Sequence, residues 1–523
     1  MAELGAGKKM DSTLQVTLAA QLPDYLLKQR WFGGKARKIA SVEVADTLPI
    51  PLSGGDAYIF VAVVRYADGA EEFYAIPLVL TESGGSEGIK VPGRDGGSMT
   101  LADGLKSAAF LTALAELIEK GSAIAGKNGE LRGAQTTAYS RLSAGPVAGL
   151  TPKPVGAEQS NTSIIYGDRL ILKFFRRIQE GINPDVEIGQ FLTEKTSLTS
   201  VPPLAGTLEY RARDGKSMAQ GMLQRFVPNQ GDAWTFTLKS LANYYDEVRK
   251  IVNAGGATSA VDQVRVPDCA KSAVETYLAA AELLGERTAE MHLALASDAS
   301  DPAFAPEPFT MESQQALEQS MSGLLVRVFS LLRDKMKYLP NEWRAQAEKL
   351  AERESEIAAR FNTALREPIR AMRTRIHGDY HLGQVLRTES DFVIIDFEGE
   401  PARSIEERRV KRSPLQDVAG MLRSFHYAAF APLLGEDRVQ GDDVVRMGVW
   451  AEAWNSWVAD RYLARYFATA KGASYLPATQ AEIQTVLELH LLEKAIYELG
   501  YELNNRPTWV GIPLQGIGKL LSV

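Results

Sequence analysis

The residues of this chain best equipped for chemistry lie in two short stretches. One is Ile376-His377-Gly378-Asp379-Tyr380-His381-Leu382-Gly383-Gln384, the other Phe392-Val393-Ile394-Ile395-Asp396-Phe397-Glu398-Gly399-Glu400-Pro401. A carboxylate in a polar turn can orient a hydroxyl and accept its proton. An amide oxygen and a second carboxylate are hard ligands suited to Mg2+. Transfer of a phosphoryl group from ATP needs these parts together. Asp379 suits the first task, and Gln384 and Asp396 the second. Either half alone is weak, since H-G-D is common and an Asp at a strand end often only forms a turn. Found in this order, with an apolar strand between them, the two halves reinforce each other.

Spacing adds to the case. In the catalytic loop H-R-D-x-x-x-x-N the amide follows its Asp by five positions, and Gln384 follows Asp379 by five. The same chemistry calls for a phosphate-positioning Lys held by a helix carboxylate. Lys173 closes the apolar run Leu170-Ile171-Leu172, and Glu187 follows in a helix that Asn183-Pro184 should open. An edge lysine lying along apolar surface is the alternative. Gln159, Ser160, Asn161, Thr162 and Ser163 are expected in a strand turn whose N–H groups cradle phosphate. Gln224, Phe226 and Val227 stand where adenine-reading backbone is expected. No Walker A motif is present.

These residues need elements to hold them. Asp68-Gly69, Gly167-Asp168 and Asp214-Gly215 sit between strand-like runs and predict hairpins. Short helices are predicted over Leu22–Arg30 and Leu101–Glu119. Beyond Pro228 long helices are predicted over Ser272–Ala296, Met311–Tyr338, Pro340–Leu365, Val444–Ala470 and Gln480–Leu503, interrupted by a β-rich stretch from Arg375 to Phe397. The pattern is α+β and bilobal. It divides into an N-terminal cap domain (13–100), the remaining N-lobe with nucleotide-binding strands (101–226) and a mostly helical C-lobe with the catalytic loop and acceptor site (227–523).

Composition narrows the setting. The chain has 523 residues, a formal charge of −7 and one cysteine, Cys269. Without clustered Lys/Arg, nucleic acid is not expected as a partner. One cysteine excludes an internal disulfide, and a cytoplasmic location is expected. No apolar run approaches membrane-spanning length, so no membrane is expected either.

The two motifs, with Gln29-Arg30-Trp31-Phe32-Gly33-Gly34-Lys35, Gln159-Ser160-Asn161-Thr162-Ser163, Ser413-Pro414-Leu415-Gln416-Asp417-Val418-Ala419-Gly420-Met421 and Tyr501-Glu502-Leu503-Asn504-Asn505-Arg506-Pro507, resemble the maltokinase family. These are sugar kinases of aminoglycoside-phosphotransferase type with a protein-kinase-like fold, often fused to trehalose synthase. The resemblance spans nearly the whole chain. It implies transfer of the ATP γ-phosphate to the anomeric hydroxyl of maltose, giving maltose 1-phosphate for α-glucan and glycogen synthesis. It implies Asp379 as base, Lys173 with Glu187 on the phosphates, and Gln384 and Asp396 on magnesium. Trehalose synthase is the protein partner it suggests. For the sugar, Lys494, Tyr497 and Tyr501 share one helical face, and Arg506 and Trp509 follow; a packed core with a solvated stripe explains that periodicity equally well. His381 and Glu398 are expected toward the acceptor, and Asp417 as a brace of the catalytic loop. Glucosamine, an aminoglycoside or trehalose as acceptor, and an inactive kinase-like binding module, are the competing readings.

Overall fold

The computed structural model describes residues 12–52, 54–82, 88–92, 98–155, 161–253, 266–434 and 442–522. The chain forms two compact units, Met1–Pro228 with Ala402–Arg408, and Asn229–Pro401 with Arg409–Val523.

The first unit is built on two antiparallel sheets. After helix α1 (Ser12–Lys28) come β1 (Ile39–Ile50), β2 (Ala57–Tyr66), β3 (Glu71–Glu82), β4 (Ile89–Pro92) and β5 (Ser98–Asp103), in the order β1-β2-β3-β5-β4. Helix α2 (Ala108–Glu119) leads to β6 (Ala123–Ala125), β7 (Gly129–Gln135), α3 (Tyr139–Ser143), β8 (Pro152–Pro154), β9 (Asn161–Tyr166), β10 (Leu170–Phe175) and β11 (Arg177–Ile178). Helix α4 (Pro184–Lys195), β12 (Leu204–Ala212) and β13 (Ser217–Arg225) complete it, with the second sheet ordered β6-β7-β12-β13-β10-β9-β8.

All three dipeptides sit in the turns of hairpins. Gly69 and Gly215 take positive φ, and Gly167 and Asp168 both do, at 52° and 53°. Two consecutive left-handed residues match the right-handed twist of the strands they join.

Strand β2 packs on both of its faces. Successive side chains point to opposite faces. Tyr58, Phe60, Ala62 and Val64 pack with Leu18, Leu22, Trp31 and Phe32 in one core. Ala57, Ile59 and Val61 pack with α2 and the second sheet in another. Both faces are covered, so the strand reads as an unbroken apolar run. The boundary expected at residue 100 falls inside β5, and the helix expected from Leu101 begins only at Ala108. β11, far along the chain, pairs with β3. The opening helix is also longer than expected, running through Pro23.

The second unit carries α5 (Ala233–Asn253), α6 (Asp268–Leu295), β14 (Glu307–Pro308), α7 (Met311–Lys335), α8 (Asn341–Ala351), α9 (Glu354–Ala364), β15 (Met372–Arg373), β16 (Val385–Arg387) and β17 (Phe392–Ile394). After α10 (Ile405–Arg409), which bridges the unit boundary in sequence, come α11 (Leu415–Leu434), α12 (Asp442–Thr469), α13 (Gln480–Asn505) and α14 (Gly511–Leu521). The helix expected over Pro340–Leu365 is two helices. No glycine or proline marks the break; Arg353 there is held by Glu356 and by the carbonyl of Leu521 at 3.0 Å. The stretch 375–397 is mostly turns around the short β16–β17 ribbon. No helix among the described residues is long and apolar enough to cross a membrane.

Candidate active site

In the first unit, alternation along β10 sends Leu172 and Phe174 into the core, and Lys173 lies between them on the other face. Its Nζ stands 3.0 Å from Asp185 Oδ2, and the Asp185 residue is only 2% exposed. Asn183 caps α4, its Oδ1 accepting from the N–H groups of Asp185 at 2.9 Å and Val186 at 3.2 Å. Pro184 occupies the first helical position, where no N–H is needed. Asp185 thus sits in a helix first turn, where the dipole favours a negative charge. The sequence reading named Glu187, half-buried two residues further along the same helix, and passed over Asp185. The order Asn-Pro-Asp marks a helix start without singling out its acid as the partner of Lys173.

Two expectations for the nucleotide site change. Gln159 and Ser160 lie outside the described residues. Asn161, Thr162 and Ser163 are not in a loop: they form the start of β9, opposite Phe175, Phe174 and Lys173. The Thr162 hydroxyl accepts from Arg176 Nε at 3.1 Å, and Arg176 pairs with Asp103 at 2.7 Å, so this hydroxyl braces the two sheets. Gln224 is inside β13 between β10 and β12, and the Phe226 N–H donates to the Arg169 carbonyl at 2.7 Å. That donor is spent within the unit. Val227 follows directly, beyond the strand.

In the second unit the H-G-D turn is held from below by Asp417, near the start of α11. Its carboxylate accepts from the N–H of His377 at 2.7 Å and of Gly378 at 2.9 Å. His292 Nε2 is 3.1 Å away, and the Nδ1 of the same ring is 2.9 Å from the Tyr466 hydroxyl. Burial pushes the Asp417 carboxyl up, but the hydrogen bonds and charge around it hold it below the ordinary carboxylate value.

His377 couples the two motifs. Its Nε2–H donates to the Ile395 carbonyl at 2.9 Å, leaving Nδ1 to accept from the Asp379 N–H at 3.4 Å. Gly378 and Gly399 take φ of 85° and 72°, a region glycine enters freely, and Asp396 itself is left-handed at 69°. The Ile395 N–H donates to the Gln384 carbonyl at 3.0 Å, next to the first ladder pair Val385–Ile394. Gln384 and Asp396 therefore flank the same end of the ribbon. Carboxylate oxygens of Asp396 and Glu398 come within 4.8 Å of each other. Crowded, hard oxygen donors of this kind fit a divalent cation, and Gln384, Asp396 and Glu398 are the groups here that would hold one. His381 uses Nδ1 to accept from the Gly383 N–H at 3.0 Å, capping the turn that carries Gln384. Burial is the main reason its imidazole lies below its ordinary value.

On α13, Lys494 Nζ is 3.3 Å from Asp379 Oδ1. Burial alone would lower the ammonium's pKa; the charges of Asp379, Glu498 and Glu400 outweigh it and hold it above the ordinary value. Tyr497 donates to Glu400 Oε1 at 2.8 Å, and the Lys494 ammonium lies 4.8 Å from the centre of the Tyr497 ring. Burial and the Glu400 charge push that phenol up. Glu498 is held by Arg423 at 2.7 Å. Tyr501, Arg506 and Trp509 form a cluster at the helix end. The Arg506 guanidinium lies 5.5 Å from the Tyr501 ring centre and 4.6 Å from that of Trp509, while bonding to Glu502 at 2.6 and 3.0 Å. Tyr501 is 46% exposed. Glu400, inside a motif already noted, is the partner of Tyr497 that the sequence does not single out.

A turn braced by a buried acid, a carboxylate beside a cation and a ribbon end rich in hard oxygens define a kinase-like phosphotransferase. Residues 150–454, more than half of the chain, match the phosphotransferase enzyme family, and the chain belongs to it. Residues 25–105 match the maltokinase N-terminal cap domain, in agreement with the family its motifs resemble. Two curated relatives are glucosamine kinases. That of Streptacidiphilus jiangxiensis is 23% identical over 72% of this chain and 75% of its own length. That of Mycolicibacterium smegmatis (strain ATCC 700084 / mc(2)155) is 23% identical over 71% and 79%. A solved glucosamine kinase in complex with glucosamine, ADP and inorganic phosphate matches with TM-score 0.61 at 20% identity, covering 98% of this chain and 100% of that one. At that identity the likeness speaks to the fold: a sheet cap, a sheet lobe and a helical C-terminal region.

Proposed function

We propose that this protein transfers the γ-phosphate of ATP to the anomeric hydroxyl of maltose, releasing maltose 1-phosphate and ADP. The observation that carries the choice of sugar is the maltokinase cap at residues 25–105. Asp379 orients the acceptor hydroxyl and takes its proton as the phosphoryl group arrives. Lys494 Nζ, 3.3 Å from Asp379 Oδ1, helps fix the orientation of that carboxylate. His377 and Asp417 hold the turn so that the carboxylate is placed before substrate binds. Lys173, positioned by Asp185 and Glu187, steadies the phosphates. Gln384 and Asp396, with Glu398, would hold magnesium, which would neutralise phosphate charge. Tyr497 and Glu400 offer hydrogen bonds to sugar hydroxyls, and Tyr501, Arg506 and Trp509 offer ring faces and a further donor.

The named relatives favour a second reading, glucosamine as acceptor. A coupled ADP-release assay over maltose, glucosamine, trehalose, glucose and an aminoglycoside separates the readings. Turnover with maltose at least tenfold above the others is expected. Turnover with glucosamine and none with maltose would replace the reading.

A further inference from the structure

The brace of the catalytic turn has a buried hydroxyl behind it. Tyr466 lies near the end of α12, with none of its surface exposed. Its hydroxyl is 2.9 Å from His292 Nδ1 on α6, while Nε2 of the same ring is 3.1 Å from Asp417 Oδ2. The Tyr466 and Tyr475 rings meet the imidazole edge-on, at 5.7 and 6.1 Å between centres. His292 is 0% exposed, so bulk water supplies neither a donor nor an acceptor to the ring. The protons follow from the charges. Asp417 is held in its charged form, where a carboxylate can only accept. It already takes the N–H groups of His377 and Gly378, and His292 Nε2 must carry a proton to join them. A neutral imidazole has one N–H, which leaves Nδ1 a bare acceptor. Burial holds the Tyr466 phenol well above its ordinary value, so it keeps its proton and donates it to Nδ1. With the ring turned over or its proton on Nδ1, acceptors would face Asp417 and a buried hydrogen bond would be lost. The reach of Tyr466 depends on a close approach of α6 and α12. Gly285 stands about two turns before His292 on α6. A Cβ there would lie 2.3 Å from the Tyr462 carbonyl oxygen and 3.2 Å from the Tyr466 nitrogen, so the missing side chain is what lets the two helices meet at this level.

We infer that Tyr466 is a positioning residue for phosphoryl transfer: its hydroxyl fixes His292 in the tautomer and ring angle that present Nε2–H to Asp417, and Asp417 in turn places the turn carrying Asp379. The inference rests on Asp379 acting as the base, and it holds for any sugar acceptor. The first arm of the test is ring-nitrogen NMR of the full chain with isotope-labelled histidine. The chain has five histidines, and the signals lost in His292→Gln assign the ring. Wild type should show His292 protonated at Nε2 alone, with Nδ1 bare and hydrogen-bonded, and in Tyr466→Phe the Nδ1 signal should move away from the hydrogen-bonded position. These signals are read without an acceptor, so failure of the maltose reading leaves this arm standing; the wild-type reading also needs no variant to fold. The second arm is kinetic, on variants shown to be folded at the assay temperature. Tyr466→Phe should lower kcat about tenfold, the scale of one buried hydrogen bond, with KM for ATP and for the acceptor unchanged. His292→Gln carries an amide N–H that can serve Asp417 without help from Tyr466. Adding Tyr466→Phe to it should therefore change kcat by less than about twofold, the spread of independent sites. A proton on Nδ1 in wild type, in either the other tautomer or the imidazolium, would overturn the inference. So would an unchanged kcat in Tyr466→Phe, or the same tenfold loss in the His292→Gln background, which is what a merely structural role would give.

Discussion

Lys173 and Asp379 are held in opposite ways. Lys173 meets Asp185 only 12 positions along the chain, on a helix whose start is set by its own Asn183-Pro184. Asp379 is 115 positions from Lys494, and its turn rests on Asp417 of a different helix, itself met by His292 125 positions earlier. One arrangement joins a strand to the helix that follows it in sequence. The other exists only after α6, α11 and α13 have packed.

The largest effect expected from breaking this contrast is Asp379→Asn. It should lower kcat by about 10³-fold, within the range of general acid–base catalysis, while the urea midpoint stays put; full activity would remove the mechanism. Asp417→Ala should instead act on stability. It strips acceptors from two buried N–H groups and from His292, costing about 3 kcal/mol or more in urea unfolding. A loss under 1 kcal/mol would mean the turn has another brace. The pH dependence has a definite sign. The folded-state value of Asp417 is depressed, so its stabilisation is complete above the ordinary carboxylate value, about 3.9. It is lost as pH falls from there through the depressed value. Asp417→Asn should therefore flatten the acid limb of the unfolding midpoint below about pH 4.

The local arrangement should respond more gently. In a double-mutant cycle on kcat/KM for ATP, Lys173→Met and Asp185→Asn should be non-additive by about 1–3 kcal/mol; simple additivity would dissociate the pair. The smallest effect belongs to Asn183→Ala. Losing the cap should cost about 1 kcal/mol of stability, and a matching rise in KM for ATP would show that the cap also places Asp185.

What was legible followed the same division. The glycine-containing hairpin turns and the Asn183 cap depend on residues adjacent in sequence, and they were readable. The spacing of Asp379, Gln384 and Asp396 follows from one turn and one ribbon, and the structure places Gln384 and Asp396 at the same ribbon end. Helix α11 was missed because burial on nearly every side erases the amphipathic period that announces a helix. The break between α8 and α9 carries no turn residue, since a contact with Leu521 helps hold it. Asn161–Ser163 read as a loop because small polar residues favour turns, and pairing with β10 overrode that preference.

Sequence alone determined the chemistry available: two acids, an amide and a lysine, in an order suited to phosphoryl transfer. Tertiary structure decided which groups stand against them. It put Asp185 on Lys173, Lys494 on Asp379 and Glu400 on Tyr497, and it merged the cap with the sheet behind it. Side-chain types and near-neighbour spacing are properties of a line, while hydrogen bonds across a hundred residues depend on how helices and sheets bury their apolar faces.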